Sequence, residues 1–154
     1  MARVIIGVGS NLGNRRQNIQ QGLKHLTEAG VKIIKISSYL KNPSAEGTAG
    51  GEFLNAAFLM ETDLEPEPLL TLLHDIEKDS GRPQPHQPKE ARSLDLDIIY
   101  YADQIIDKPD LQIPHPKRMQ RWFVMKPAAE AAPDFCDPIL KKPLKDVVRP
   151  FQGR

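Results

Sequence analysis

Pro83, Pro85 and Pro88 fall within six residues of one another in the stretch "RPQPHQPKEAR". Proline fixes φ and lacks a backbone N–H, so neither a helix nor an interior strand can run through such a segment. Regular structure is therefore confined to either side of a long loop, about residues 82–91. That loop leads directly into "RSLDLDIIYY", Arg92 to Tyr101, which reads as a β-strand. Side chains alternate along a strand, so Leu94, Leu96 and Ile98 share one face. Asp95, Asp97, Ile99 and Tyr101 share the other. Two acids side by side on so apolar an element call for a reason.

Upstream of the loop the periodicities are clear. Val4 to Val8 is a short apolar run that reads as a buried strand. Asn14 is a candidate N-cap. Ile19, Leu23 and Leu26 then follow at i, i+4 and i+7, and Gly30 stands where a helix stop belongs. Val31 to Tyr39 is β-branched and alternating, which predicts a second strand. "LKNPSAEGTAGGE" predicts a second long loop, about residues 41–52. Phe53 to Thr62 predicts a third strand, with Leu54, Ala56, Phe58 and Met60 on one face and Phe53 and Asn55 on the other. Pro66 and Pro68 suit the first turn of a helix whose apolar stripe is Leu69, Leu70, Leu72, Leu73 and Ile76. The order β-α-β-β-α-β matches an α+β, ferredoxin-like sandwich with helices on one face of a mainly antiparallel sheet. The residues after Tyr101 read as extended pieces broken by prolines. "PAAEAAPD" reads as one or two helical turns, so the expected addition is a C-terminal hairpin and helix.

Composition narrows the function classes. The 154 residues suit one domain spanning 1–154. A formal net charge of +1 speaks against a largely electrostatic nucleic-acid binder. The single cysteine, Cys136, excludes an internal disulfide and a cysteine-built zinc site, and fits a reducing compartment. The first residues lack a signal-peptide layout, and no apolar run approaches the ~20 residues of a membrane span. The expectation is a cytoplasmic monomer with small-molecule partners, rather than nucleic acid or membrane.

Carboxylates at i and i+2 of a strand have Cβ atoms roughly 6.5–7 Å apart. They can converge on one cation or bridge two ions ~3.5–4 Å apart. Magnesium takes one or two carboxylates and completes its shell with water and phosphate oxygens. The plainer alternative is a solvated pair matched by nearby Lys or Arg. Arg82 and Arg92 upstream, with His115, Lys117, Arg118 and Arg121 downstream, describe a place for polyphosphate. Other features say less. "GVGSNLGN" lacks the spacing of a dinucleotide loop and the ending of a P-loop, and reads as a turn from strand to helix. His74 and Glu77, one helical turn apart, are either metal ligands or ordinary surface contacts. Trp122 and Phe123 are either a stacking platform or core. Phe53 and Asn55 put an aromatic beside an amide, as recognition of a heterocycle requires.

"GSNLGNR", "FLNAA", "RSLDLDIIYY" and "IPHPKRMQRWFVMKPAAEAAPD" occur in this order. Together they resemble the 6-hydroxymethyl-7,8-dihydropterin pyrophosphokinases of folate biosynthesis, from Val4 to about Asp134. The resemblance implies a ferredoxin-like fold, and transfer of pyrophosphate from ATP to the pterin hydroxymethyl group with two Mg2+ ions. It implies Asp95 and Asp97 as metal ligands, with Arg82 and Arg92 completing the catalytic set. It implies Pro43, Phe53, Asn55 and Phe123 for the pterin, and Glu77, Ile98, His115 and Arg121 for the nucleotide. The chain departs from the family pattern at Asn42-Pro43-Ser44, where Thr-Pro-Pro is usual. It also departs at Lys89, where an aromatic is common, and at Gln84, near which a second arginine is common. Those departures keep two alternatives open: a non-catalytic nucleotide- or pterin-binding module, and a magnesium-dependent nucleotidyl transferase or phosphohydrolase with another substrate.

Overall fold

The sheet is assembled on one strand, β1 (Ala2–Ser10). A computed structural model describes it together with the rest of residues 1–42, 52–80 and 93–151. β1 pairs antiparallel with β4 (Phe53–Thr62) on one side and with β5 (Asp95–Tyr101) on the other. β2 (Lys32–Ile36) and β3 (Leu40–Asn42) both pair antiparallel with the far edge of β4. The main strand order is β2-β4-β1-β5.

Two helices cover one face. α1 (Arg15–Glu28) starts where Asn14 caps it, its side chain accepting from the Gln17 N–H at 3.1 Å. Past its end Gly30 takes φ +90, a conformation that favours glycine. α2 (Pro66–Asp79) opens on a proline, whose missing N–H has no partner in a first turn anyway. Leu69, Leu73 and Ile76 of α2, with Ile19 and Leu26 of α1, pack on Val4, Ile6, Val8, Leu54, Ala56, Phe58, Leu96 and Ile98. Burial of each large aliphatic side chain contributes about 1.5–3 kcal/mol.

The other face is covered as well, which the sequence pattern did not predict. α3 (Trp122–Ala131) and α4 (Leu144–Val147) close a second core around Ile5, Ala57, Leu59, Ile99, Tyr100 and Met125. α3 is ten residues long, more than the one or two turns read from "PAAEAAPD", because it runs through Pro127. The expected C-terminal hairpin is present as β6 (Ile106–Lys108) and β7 (Leu111–Ile113), and a smaller one as β8 (Cys136–Asp137) and β9 (Lys142–Pro143). Among the described residues, no helix is long and apolar enough to cross a membrane.

Two irregularities matter for the site. In β5, Ile98 stands opposite Ile6 but Tyr100 stands opposite Ile5, so Ile99 is an extra residue. This β-bulge puts Ile99 and Tyr100 both on the second core and turns Tyr101 into the first. Tyr101 therefore does not share a face with Asp95 and Asp97, as strict alternation had it. The second irregularity is at Ser37, where the strand expected over 31–39 breaks. Ser37 N–H donates to Ala57 O at 2.9 Å, and its hydroxyl accepts from the Ala57 N–H at 2.8 Å. The side chain thus completes the ladder where the backbone leaves it, and the chain re-enters as β3.

Ser37→Ala strands a buried N–H on Ala57. Urea unfolding is expected to show a stability loss of about 1–3 kcal/mol. An unchanged midpoint would mean that Ala57 finds another partner.

Candidate active site

The ladders set side chains of three strands in rows on the second face. Ala57, Gly7 and Asp97 form one row; Asn55, Gly9 and Asp95 form the next. The middle member of each row is a glycine. A Cβ on Gly9 would begin 3.2 Å from Asn55 Oδ1 and 3.4 Å from Phe53 Cδ1. One on Gly7 would begin 3.2 Å from Ile99 Cδ1 and 3.8 Å from Val124 Cγ1 of α3. Ile99 and Val124 thus cover Gly7, whereas at Gly9 the central strand sets no side chain between an amide–aromatic wall on β4 and a carboxylate wall on β5, and a trough lies there. The pattern "GVGSNLGN" predicts a turn. The turn exists, held by Asn18 Nδ2, which donates to Ser10 Oγ at 3.2 Å and to Leu12 O at 2.8 Å. The two glycines, however, belong to the strand itself. Glycines two apart inside a strand were the available signal for a close approach on one face.

Along the outer edge of β5 runs an open cleft of about 560 Å³. Asp95, Asp97, Ile98, Glu77, His115 and Arg121 all line it. The expected metal ligands and nucleotide contacts thus meet in one place. Of the expected pterin residues, Asn55 and Phe53 form the far wall. Phe123 lies at the start of α3, edge-on to Trp122 with centroids 5.9 Å apart. Trp122 packs against the second core, whereas Phe123 belongs to neither core. Pro43, Arg82 and Arg92, like the departures at Ser44, Gln84 and Lys89, lie outside the described residues.

Each cleft residue is held by an identifiable interaction. Glu77 is buried on α2, and its Oε2 accepts from the Leu96 N–H at 2.7 Å, fixing edge strand β5 against the helix. His115 follows β7, and its N–H donates to Ile99 O at 3.0 Å. Its Nδ1 accepts from the Lys117 N–H at 3.1 Å. The neutral ring must then carry its proton on Nε2. Burial first, then the Arg121 guanidinium, lowers its pKa to about 4, so the ring is neutral at pH 7. Arg121 stands at the N-cap position of α3 without a side-chain capping bond, at an end where the helix dipole also favours anions.

Sequence position suggests Arg118 as a phosphate cation, and the structure corrects this. Its guanidinium is buried and turned away, with Nε 2.9 Å from Asp137 Oδ2 and Nη1 donating to His115 O at 3.2 Å. Tyr100 donates to Asp137 Oδ2, and Asp137 Oδ1 accepts the N–H groups of Ile139 and Leu140. Burial raises the Asp137 pKa, but these donors outweigh it and hold the pKa below the usual value. This cluster fastens the 115–121 turn to the bulge in β5 and to β8.

Comparison with known proteins fits this geometry. Residues 5–133 match the 7,8-dihydro-6-hydroxymethylpterin-pyrophosphokinase family, HPPK. The chain belongs to the HPPK family. It is 35% identical over 148 residues to the 2-amino-4-hydroxy-6-hydroxymethyldihydropteridine pyrophosphokinase of Aquifex aeolicus, covering 95% of this chain and 90% of that one. It is 37% identical over 136 residues to the folic acid synthesis protein fol1 of Pneumocystis carinii, covering 88% of this chain but only 18% of that protein. The Plasmodium falciparum HPPK-DHPS structure with pteroate superposes with a TM-score of 0.76 at 12% identity, over 97% of this chain and 44% of that one. At that identity the likeness speaks for the fold alone, and the fold is the ferredoxin-like α+β arrangement.

As an HPPK member the chain raises the question of magnesium. Among the described residues no cluster of three or more His, Cys, Asp or Glu could hold a metal ion. Two carboxylates on one face, in a cleft that also holds His115 and Arg121, suit an ion that takes the rest of its shell from phosphate and water.

Two predictions follow from this geometry. Gly9→Ala pushes its methyl toward the Asn55 carbonyl, so ligands seated in the trough are expected to bind at least tenfold more weakly, with the fold intact by circular dichroism; unchanged affinity would take the trough out of the site. The second concerns acid. Unfolded His115 takes a proton near pH 6.5, the folded ring only near 4. Between these values the unfolded state binds more protons, so stability falls as pH falls. The melting temperature of the free protein should drop from pH 6.5 to 4, and less steeply in His115→Asn.

Proposed function

We propose that the protein transfers the terminal pyrophosphate of ATP to the hydroxymethyl group of 6-hydroxymethyl-7,8-dihydropterin, releasing AMP, as a step of folate biosynthesis. The observation that carries this reading is Gly9 on the central strand. It sets no side chain between Asn55 and Phe53 on β4 and Asp95 and Asp97 on β5.

In this reading the pterin lies over Gly9, its edge met by Asn55 and its face by Phe53 and Phe123; the family resemblance assigns Pro43 to the same ligand. ATP occupies the β5 cleft. Leu96 N–H points outward to Glu77, and by the two-residue repeat the backbone groups of Ile98 point the same way, suited to the edge of the base. His115 donates from Nε2–H to a phosphate oxygen, and Arg121 adds charge at the head of α3. Two Mg2+ ions on Asp95 and Asp97, when bound, would neutralise the polyphosphate and orient it. The hydroxymethyl oxygen attacks the β-phosphorus, and the bond from that phosphorus to the oxygen bridging the α-phosphate breaks. The hydroxyl proton leaves to solvent. Arg82 and Arg92 stabilise charge during transfer. The side chains position and neutralise rather than form bonds, as in other phosphoryl-type transfers. The protein works as a cytoplasmic monomer whose partners are its two substrates.

Protein, Mg-ATP and the hydroxymethyl-dihydropterin together are expected to give AMP and a pyrophosphorylated pterin in equal amounts. Binding of both ligands without AMP would favour a non-catalytic module, and ATP turnover without pterin a different transferase or hydrolase. Asp97→Ala should keep its circular dichroism spectrum and lose activity roughly a thousandfold. A near-normal rate would remove the paired acids from the mechanism.

A further inference from the structure

Asn42 and Asn55 are buried polar side chains, 6% and 7% exposed. Leu40 of β3 is the cross-strand partner of Asn55, and Asn42 stands two pairs further along, opposite Phe53. Side chains in such diagonal positions reach each other on one face of the sheet. Asn55 Nδ2 donates to Leu40 O at 3.2 Å and to Asn42 Oδ1. An amide nitrogen carries two hydrogens, so both are committed to β3. The oxygen end faces the other way. Asn55 Oδ1 is the atom nearest the position where a side chain on Gly9 would begin, at 3.2 Å.

The wall of the trough therefore offers an acceptor. Turning the amide over would set its oxygen against two other oxygens, Leu40 O and Asn42 Oδ1, and would present N–H groups to the trough. Leu40 O belongs to the backbone and is present whatever the sequence. Asn42 Oδ1 is the contribution of one side chain, at a position where this chain departs from its family's pattern.

We propose that Asn42 is a specificity-determining positioning residue. Its side-chain oxygen locks the Asn55 amide with the acceptor toward the trough, and so selects a heterocycle that brings an N–H donor to that wall. The inference rests on the pterin occupying the trough. The ring named for the Aquifex aeolicus relative carries a 2-amino group, a donor of the required kind. A ring with oxygen at that position would set acceptor against acceptor, and the locked amide could not turn to relieve it.

The test compares dissociation constants of the full chain for 6-hydroxymethylpterin and for its 2-oxo analogue, by calorimetry in the presence of a non-hydrolysable ATP analogue. Wild type is expected to prefer the amino ring. Asn42→Leu, which removes the acceptor at similar volume, should reduce that preference roughly five- to tenfold, the worth of one hydrogen bond. Asn42→Asp keeps an acceptor oxygen and should retain the preference. Asn42→Ala is measured beside Asn42→Leu, so that a packing defect in either does not decide the outcome. Affinity for the ATP analogue alone should be unchanged throughout. An Asn42→Leu and Asn42→Ala pair with wild-type preference would overturn the role of Asn42 while leaving the pterin reading in place. So would an Asn42→Asp variant that loses as much preference as Asn42→Leu. A wild-type protein that binds neither ring would overturn both.

Discussion

A central strand enclosed on both faces, yet without a side chain at two of its positions, is the constraint on which the rest of the structure depends. β1 is held on both edges by antiparallel ladders and sandwiched between two cores. Such a strand tolerates glycine poorly, because glycine adds no packing and costs chain entropy. At Gly7 the missing side chain is replaced by neighbours of the second core, Ile99 Cδ1 at 3.2 Å and Val124 Cγ1 at 3.8 Å from where a Cβ would begin. At Gly9 the nearest side-chain atoms belong to β4 instead, Asn55 Oδ1 at 3.2 Å and Phe53 Cδ1 at 3.4 Å. The hollow exists because the scaffold around it is rigid, and the chemistry sits on that scaffold.

Rigidity at the site's rim comes from a few polar contacts rather than from bulk burial. Glu77 fastens the edge strand, the Arg118–Asp137–Tyr100 cluster fastens the 115–121 turn, and Ser37 fastens the end of β2 to β4. Each uses a side chain to satisfy a backbone group or charge that regular structure leaves over. Removing one partner of the Arg118–Asp137 pair leaves the other buried and unmatched, which is costly. The pair therefore fixes where His115 and Arg121 stand more than it adds to overall stability.

Much of this was legible in the chain and some was not, for definable reasons. Asp95 and Asp97 could be put on one face because alternation holds over the first half of β5. Asn14, Gly30 and the stripe on α2 follow local rules and were readable. The bulge at Ile99 was not, since counting by twos assumes an unbroken ladder, and so Tyr101 was given to the wrong face. Arg118 looked like a phosphate cation because its partner lies 19 residues away in sequence. The second layer of helix was hidden by Pro127, which reads as a boundary yet sits inside α3. Gly7 and Gly9 were visible, but their meaning depends on which strands flank β1, and no local pattern states that.

The tautomer imposed on His115 has an electrostatic consequence for the cleft. A ring that stays neutral down to about pH 4 adds no variable charge in the physiological range. Arg121 is cationic throughout that range. The field these two groups set up in the cleft is therefore constant across neutral pH. On the proposed reading, in which a nucleotide enters this cleft, the proton sensitivity of the encounter belongs to its terminal phosphate, which titrates near pH 6.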